Sequence, residues 1–345
     1  MTFLVPEFTS EGFEHVSFFH DEKSQLKSIV AIHSTKLGPS LGGCRFYPYA
    51  STDAALKDVM RLAQAMTYKA AVADLPLGGG KAIIIGDAKT EKTDEKLMAF
   101  GRYIDRLRGT YITTVDSGTT PDDMVKIQTQ TSHVVGIPSN RGGSDDPSPN
   151  TALGVFEGIK ACLQFHSGSS DLKGKRIAIQ GIGNVGLRLA KLLAQAGAKL
   201  AIADVVTDRV KQVAQELSAE AFTTDSIFDT PCDVFAPCAM GAVISHESVA
   251  RIQAPIIAGA ANNQLVDHSV SETIMKRGML YAPDFVINAG GLIHVTLDLK
   301  IFSMDEVVAK TEKIHHTILE ILDRSKKKQQ STQAIAIELA KEKLH

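Results

Sequence analysis

Cysteine is scarce, net charge is close to zero and long apolar runs are missing, and each shortage excludes something. The four cysteines, Cys44, Cys162, Cys232 and Cys238, fall without C-x-x-C spacing or a histidine partner motif. That pattern fits reduced thiols rather than disulfides, and no metal site is expected. A formal net charge of −2 gives no general attraction to nucleic acid or to anionic lipid. No apolar stretch approaches the roughly 20 residues that span a bilayer. The opening MTFLVPEFTSEGFEH has no basic region followed by an apolar core, so the expectation is a cytoplasmic protein with neither membrane nor nucleic acid as partner. What is present is 345 residues, 44% of them hydrophobic, enough to bury a sizeable core and long enough for two domains.

The stretch Met66 to Lys81, MTYKAAVADLPLGGGK, sets Lys69 and Lys81 on either side of Gly78, Gly79 and Gly80. Glycine lets backbone approach a ligand closely, and Lys81 opens an apolar run to Ile85 that reads as a buried strand. A lysine at a strand mouth beside bare backbone suits a small anionic substrate. A tight turn before the strand accounts for the same glycines without any chemistry. A phosphate loop does not fit, because Leu75 stands where a glycine is needed and Ala82 where a hydroxyl is needed.

Along the chain, two extended runs between Val16 and His33 flank the polar turn Asp21 to Ser24, a hairpin pattern. A helix is expected from Asp53 to Met66, leading into Lys69, a second over Leu97 to Leu107, and a strand over Tyr111 to Thr114. Thr120-Pro121-Asp122-Asp123 is a helix start with cap, proline and acids. Residues 138–149, SNRGGSDDPS at their centre, read as an inter-domain linker bordering a cleft. Beyond it, helix and strand alternate: helix Thr151 to Phe165, strand Arg176 to Gln180, helix Val185 to Ala196, strand Lys199 to Ala203, helix Asp208 to Leu217. The expected fold class is therefore α/β, with residues 1–137 as a substrate-binding and oligomerisation domain joined by 325–345, and 150–324 as a Rossmann-type doubly wound parallel sheet. A long helix is expected from the capping box at Ser303, with the basic run Arg324 to Lys328 facing water at its end.

Gly181-Ile-Gly183-Asn184-Val185-Gly186 fits G-x-G-x-x-G, follows the strand RIAIQ and opens a helix. Asp204 stands 18 residues after the last glycine at the end of the next strand, where ribose hydroxyls would sit. A helix N-terminus offers free N–H groups and a favourable dipole to a pyrophosphate. An acid at Asp204 repels a 2′-phosphate, which favours NAD over NADP, with Arg209 as the one nearby cation that argues the other way.

With LGPSLGGCR, MTYK…LGGGK, YITTVDSGTT, GIGNVG, APCAMGAVI, AGAANNQL and YAPDFVINAGG in hand, the chain resembles the glutamate/leucine/phenylalanine/valine dehydrogenases through nearly its whole length, nearest the leucine and phenylalanine branch. The resemblance implies NAD-dependent, reversible oxidative deamination of an L-amino acid to its 2-oxo acid and ammonia by a homo-oligomer. It implies that Lys69 holds the substrate carboxylate, that Lys81 activates water, and that Asp116 moves protons to and from nitrogen. It places Leu41, Gly42, Gly43, Thr114, Leu292 and Val295 about the substrate, Asn262 and Asn288 between substrate and nicotinamide, and Thr151 and Ala239 on the cofactor side. Val115 stands where an acid is common, and TLDLKIF follows Val295 in place of the usual acid-containing segment. The apolar pocket implies an apolar substrate, a branched-chain aliphatic one because Thr114 fills the space a ring would need, with an aromatic amino acid as the alternative. Two other readings remain open at this point: a catalytically silent NAD-binding sensor, and a hydroxy-acid dehydrogenase, which would use a His/Arg pair where this chain offers lysines.

Overall fold

The computed structural model describes residues 12–144, 146–239 and 241–344. They divide into two compact units: Met1–Asp145 with Val295–Phe302 and Lys343–His345, and Asp146–His294 with Ser303–Glu342. Among the described residues no helix is long and apolar enough to cross a membrane.

The first unit contains β1 (His15–Asp21), β2 (Leu26–Ser34), β3 (Ser40–Tyr47), α1 (Thr52–Val72), β4 (Gly78–Ile85), α2 (Asp94–Arg106), β5 (Tyr111–Val115) and α3 (Pro121–Gln128). Its mixed sheet runs β1-β2-β4-β3-β5, antiparallel as far as β4 and parallel from β4 through β3 to β5. The period-2 alternation of these strands divides their side chains between two helical layers. Val30, Ile32, Ala82, Ile84, Cys44, Phe46 and Tyr111 pack with Leu97, Phe100 and Ile104 of α2 and Met124 and Ile127 of α3. Ile29, Ala31 and Ile83 pack with Ala55, Val59, Met60 and Ala63 of α1. Lys81, two residues before Ile83, therefore belongs to the α1 face.

The glycines before Lys81 are strand, not turn. A Cβ on Gly79 would stand 2.0 Å from the Thr67 backbone nitrogen of α1, and one on Gly80 would stand 2.8 Å from the Tyr111 ring. Bare backbone here brings a helix and an aromatic ring close to the sheet from its two sides. α1 also runs six residues past its expected end at Met66, which puts Lys69 inside its last turn.

The second unit contains α4 (Ser148–Ser167), β6 (Arg176–Gln180), α5 (Asn184–Gln195), β7 (Lys199–Ala203), α6 (Thr207–Leu217), β8 (Glu220–Ala221), β9 (Val234–Pro237), α7 (His246–Arg251), β10 (Ile256–Ile257), α8 (Ser269–Lys276), β11 (Leu280–Tyr281), α9 (Asp284–Ile287) and α10 (Gly290–Val295), whose last residue falls in the first unit. After these come α11 (Met304–Glu312), α12 (Ile314–Lys328) and α13 (Thr332–Lys343). Its sheet is wholly parallel in the order β11-β10-β9-β6-β7-β8. This is the doubly wound order, with the switch point between β6 and β9.

Two expectations change here. The helix from Ser303 is broken at Lys313 into α11 and α12. Residues 325–342 lie in the second unit rather than with the first, and only Lys343–His345 join the first. Ion pairs from Arg324 to Glu342 and from Lys328 to Glu338 tie α13 to α12, and Ile335, Ala336 and Leu339 are buried. The basic run is thus largely paired with acids rather than turned only to water.

Candidate functional site

In the first unit, β4 delivers Lys81 to the α1 face, 7% exposed, and its Nζ forms an ion pair with Asp116 Oδ2. Asp116 follows β5 directly. Its Oδ1 accepts from the Ser117 N–H, and its own N–H donates to Thr119 Oγ1 at 2.9 Å. That hydroxyl in turn reaches the Cys44 carbonyl at 2.9 Å. Burial alone would raise the Asp116 pKa, but Lys81 and then Arg45 outweigh it and hold the carboxyl at about 2. The carboxylate fits there because Gly43 has no side chain: a Cβ would meet Asp116 Cβ and the Val115 carbonyl oxygen at 2.7 Å.

Strand alternation brings the other expected substrate residues to the same face. Leu41 is buried and pairs with Gly79 and Ile112, and Thr114 pairs with Gly43. Thr114 Oγ1 lies 2.5 Å from where a Cβ on Gly136 would stand, so it closes the end of β5. Lys69 is half-buried on α1, two residues beyond the Thr67 that touches Gly79. Gly42 differs from the expectation, because alternation turns it to the opposite face. Its carbonyl accepts the Tyr111 hydroxyl at 2.6 Å, and a Cβ would strike the Gly80 carbonyl oxygen at 1.8 Å, so its requirement for glycine is a packing one.

Sequence reasoning assigned nothing to three acids and bases beside this face. Arg45 Nε lies 3.6 Å from Asp116 Oδ1, while its Nη1 is 2.8 Å from Asp58 Oδ2 on α1. Asp298 lies in the TLDLKIF stretch that departs from the family's usual acid-containing segment, and its Oδ2 accepts from the Gly136 N–H at 2.8 Å. Alternation from Gly43 would have found Arg45. Asp58 pairs with Arg61 three residues on, which by itself reads as an ordinary surface pair, and Asp298 meets Gly136 from 162 residues away, which no local signal marks.

In the second unit, the three glycines of the fingerprint do three different things. Gly181 adopts φ +102° beside Ala239, whose nitrogen a Cβ would approach to 2.6 Å. Gly183 has nothing within 4 Å of a would-be Cβ and precedes α5, whose N-terminus carries no side-chain cap. Gly186 packs α5 onto the loop, where a Cβ would stand 2.0 Å from the Gly181 carbonyl oxygen. Open space and unclaimed N–H groups at a helix start fit a pyrophosphate. Asn184 is exposed and Val185 half-buried in the first turn of α5. Asp204 ends β7; it accepts from the Ile182 N–H at 2.7 Å and the Val206 N–H at 2.9 Å, with Arg209 Nη1 at 3.8 Å.

Asn288 is buried, and its amide donates to Asn262 Oδ1 at 2.7 Å and to the Ala260 carbonyl at 3.1 Å. Its own Oδ1 has no hydrogen-bond partner among the described residues. Gly290 and Gly291 lie against Asn150 and Thr151, with a would-be Cβ on Gly291 at 2.7 Å from Thr151 Oγ1. Leu292 is buried in α10, and Val295, half-buried at the end of that helix, belongs to the first unit.

Comparison with known proteins agrees with this architecture. The dimerisation domain of the Glu/Leu/Phe/Val dehydrogenases matches residues 14–133, and the Glutamate/Leucine/Phenylalanine/Valine dehydrogenase family model matches residues 142–207 and 200–345. The chain is 43% identical to a leucine dehydrogenase from Bacillus cereus over 345 residues, 100% of this chain and 94% of that protein. It is 42% identical to a phenylalanine dehydrogenase from Thermoactinomyces intermedius over 335 residues, covering 96% and 92% of the two. An L-tryptophan dehydrogenase from Nostoc punctiforme superposes with a TM-score of 0.88 at 39% identity, covering 98% of each chain. With a lysine–aspartate pair on one sheet and a dinucleotide loop on the other, the chain belongs to the Glu/Leu/Phe/Val dehydrogenase family and is an amino-acid dehydrogenase.

Proposed function

We propose that the enzyme oxidatively deaminates apolar L-amino acids with NAD⁺ and water, giving the 2-oxo acid, ammonium, NADH and a proton. The observation that carries this reading is the buried Lys81–Asp116 pair beside Gly43. The dinucleotide supplies a hydride acceptor, held by Gly181, Gly183, Asn184, Val185, Gly186 and Ala239, with Asp204 toward the ribose and Thr151 toward the nicotinamide amide. The residues of the chain do the rest. Lys69 binds the substrate carboxylate. Lys81 takes a proton from the water that attacks the substrate imine, and Asp116 returns one to the departing nitrogen. The unpartnered Asn288 Oδ1 suits a donor on substrate or cofactor, and the Asn262–Asn288 bond orients it. NAD is favoured over NADP because the Asp204 carboxylate repels a 2′-phosphate.

In the first unit Leu41, Thr114 and Val295 are apolar or nearly so, and the branched Thr114 favours leucine, isoleucine or valine. An aromatic substrate is the second reading. It is favoured by Asp298, whose buried Oδ1 has no partner among the described residues while Oδ2 is bound at Gly136 beside Thr114, an acceptor for a ring N–H. NAD⁺ reduction, followed by absorbance with leucine, phenylalanine and tryptophan in the parent and in Thr114→Gly, separates the two. The first reading expects leucine best in the parent and a gain for phenylalanine in the variant. One methylene is worth about 1–3 kcal/mol in such a pocket, and a parent better with either aromatic reverses the assignment. We also place the enzyme in the cytoplasm as a homo-oligomer, supported by the dimerisation-domain match and by Phe18, 52% exposed on the edge strand β1.

A further inference from the structure

Arg45 is shared between two carboxylates. Its Nη1 makes a full ion pair with Asp58 Oδ2 at 2.8 Å, while Nε lies 3.6 Å from Asp116 Oδ1 and has no hydrogen-bond partner among the described residues. Asp58 is itself pinned on α1 by the Tyr49 hydroxyl at 2.6 Å and by Arg61 at 2.8 Å. A guanidinium free to choose would take Asp116 with two parallel hydrogen bonds and would occupy the oxygens that Lys81 and a substrate nitrogen need.

We propose that Asp58 is a tether that restrains Arg45, making Arg45 and Asp58 a pair of positioning residues that set how tightly Lys81 and Asp116 hold their shared proton. Arg45 acts as a nearby positive charge rather than as a ligand of Asp116. Its cation opposes the proton on the pair, and the Asp58 anion moderates that opposition. Burial works against the charge on Arg45, but Asp116 and Asp58 outweigh it and keep it a cation. Other titratable groups stand near the pair, Cys44 and Tyr111 on the opposite face of the sheet. Cys44 and Tyr111 are buried and pushed well up, so they stay neutral. Asp123 is engaged by Lys92 at 2.7 Å, and Lys69 lies in the last turn of α1.

The inference rests on the proposed acid–base role of Lys81 and Asp116, and the test separates the two. The pH profile of kcat/KM for oxidative deamination is measured with one good amino-acid substrate, so that the titration of the substrate amine is common to all variants. Arg45→Gln removes a cation, the pair keeps its proton longer, and the midpoint of the alkaline rise moves up by about one pH unit. Arg45→Lys restores the charge and moves the midpoint back toward the parent. Asp58→Asn removes an anion and releases Arg45 onto Asp116, so the midpoint moves down and kcat falls. A purely structural role would lower activity without opposite shifts, and unmoved or parallel midpoints overturn the inference. Should Asp116→Asn retain parental kcat, it is the acid–base reading itself that fails. Thermal unfolding of each variant identifies any that lose the fold, and the equally neutral Arg45→Met then carries the comparison in place of Arg45→Gln.

Discussion

Lys81 is buried with one carboxylate against its ammonium, and alanine in its place removes both the proposed base and the partner of Asp116. Loss of a positioned acid–base group costs about 10²–10⁴ in rate, so kcat of Lys81→Ala is expected to fall by that factor. Lys69→Ala should raise KM more than it lowers kcat. Steady-state kinetics with a circular-dichroism check of folding decide this, and near-parental turnover in Lys81→Ala contradicts the assigned chemistry. Asp204 shows why residue type and residue use differ. Its two oxygens hold the Ile182 and Val206 N–H groups, so the acid orders the glycine-rich loop in addition to the ribose contact proposed for it. Asp204→Ser removes the repulsion and leaves Arg209 available to a 2′-phosphate. The ratio of kcat/KM for NADP to that for NAD should rise at least about tenfold, equivalent to about 1.4 kcal/mol, with some loss of NAD affinity. A parent that already prefers NADP refutes the assignment.

The strands and helices that carry the site were legible where a period or a cap marks them, and obscure where glycine replaces the marker. The hairpin of β1 and β2, the capping box at Thr120 that starts α3, and the β6-loop-α5 unit all follow local rules and stand where those rules put them. β4 begins at Gly78 and β3 carries Gly42 and Gly43, yet glycine is poor in strand propensity, so β4 reads as a strand only from Lys81 and the β3 segment reads as no element at all. Only the neighbours that fill the vacant Cβ positions, Thr67, Tyr111 and Asp116, explain them. The break at Lys313 escapes the sequence for another reason: Val307 and Thr311 before it and Ile314, Ile318 and Ile321 after it are all buried, and apolar spacing does not register a kink. Two glycine substitutions test this distinction between packing and ligand approach. Gly79→Ala drives a methyl into the α1 backbone, and overpacking of this kind costs about 1–3 kcal/mol, read as a fall in Tm. Gly183→Ala meets nothing within 4 Å, so its Tm should match the parent while KM for NAD rises. Equal Tm values for both variants would show that the glycines of β4 are not packing residues.

Over the whole molecule, each unit has its own core, one between α1, the mixed sheet and α2–α3, the other about the parallel sheet. Composition could announce two domains but could not say that α13 stays with the second, because that rests on ion pairs such as Arg324–Glu342, formed only after α12 and α13 come side by side. The buried Lys81–Asp116 pair links the chemistry to the stability of the first unit. Asp116 holds its carboxyl at about 2 against the ordinary 3.8, with the Lys81 and Arg45 charges outweighing burial. A folded pKa below the unfolded one contributes stability that is present above about pH 4 and is lost as pH falls toward 2. A shift of that size corresponds to about 2 kcal/mol. Asp116→Asn lacks this contribution and leaves the Lys81 charge buried without its partner, so it should be less stable than the parent at pH 6. The gap should narrow at pH 4 and narrow further at pH 3, because Asp116 of the unfolded parent chain takes up a proton there while the folded carboxylate is still ionised. Urea unfolding of parent and variant at those three pH values measures it, and a gap that stays constant or widens toward acid would mean that Asp116 is not held as a carboxylate by Lys81 and Arg45.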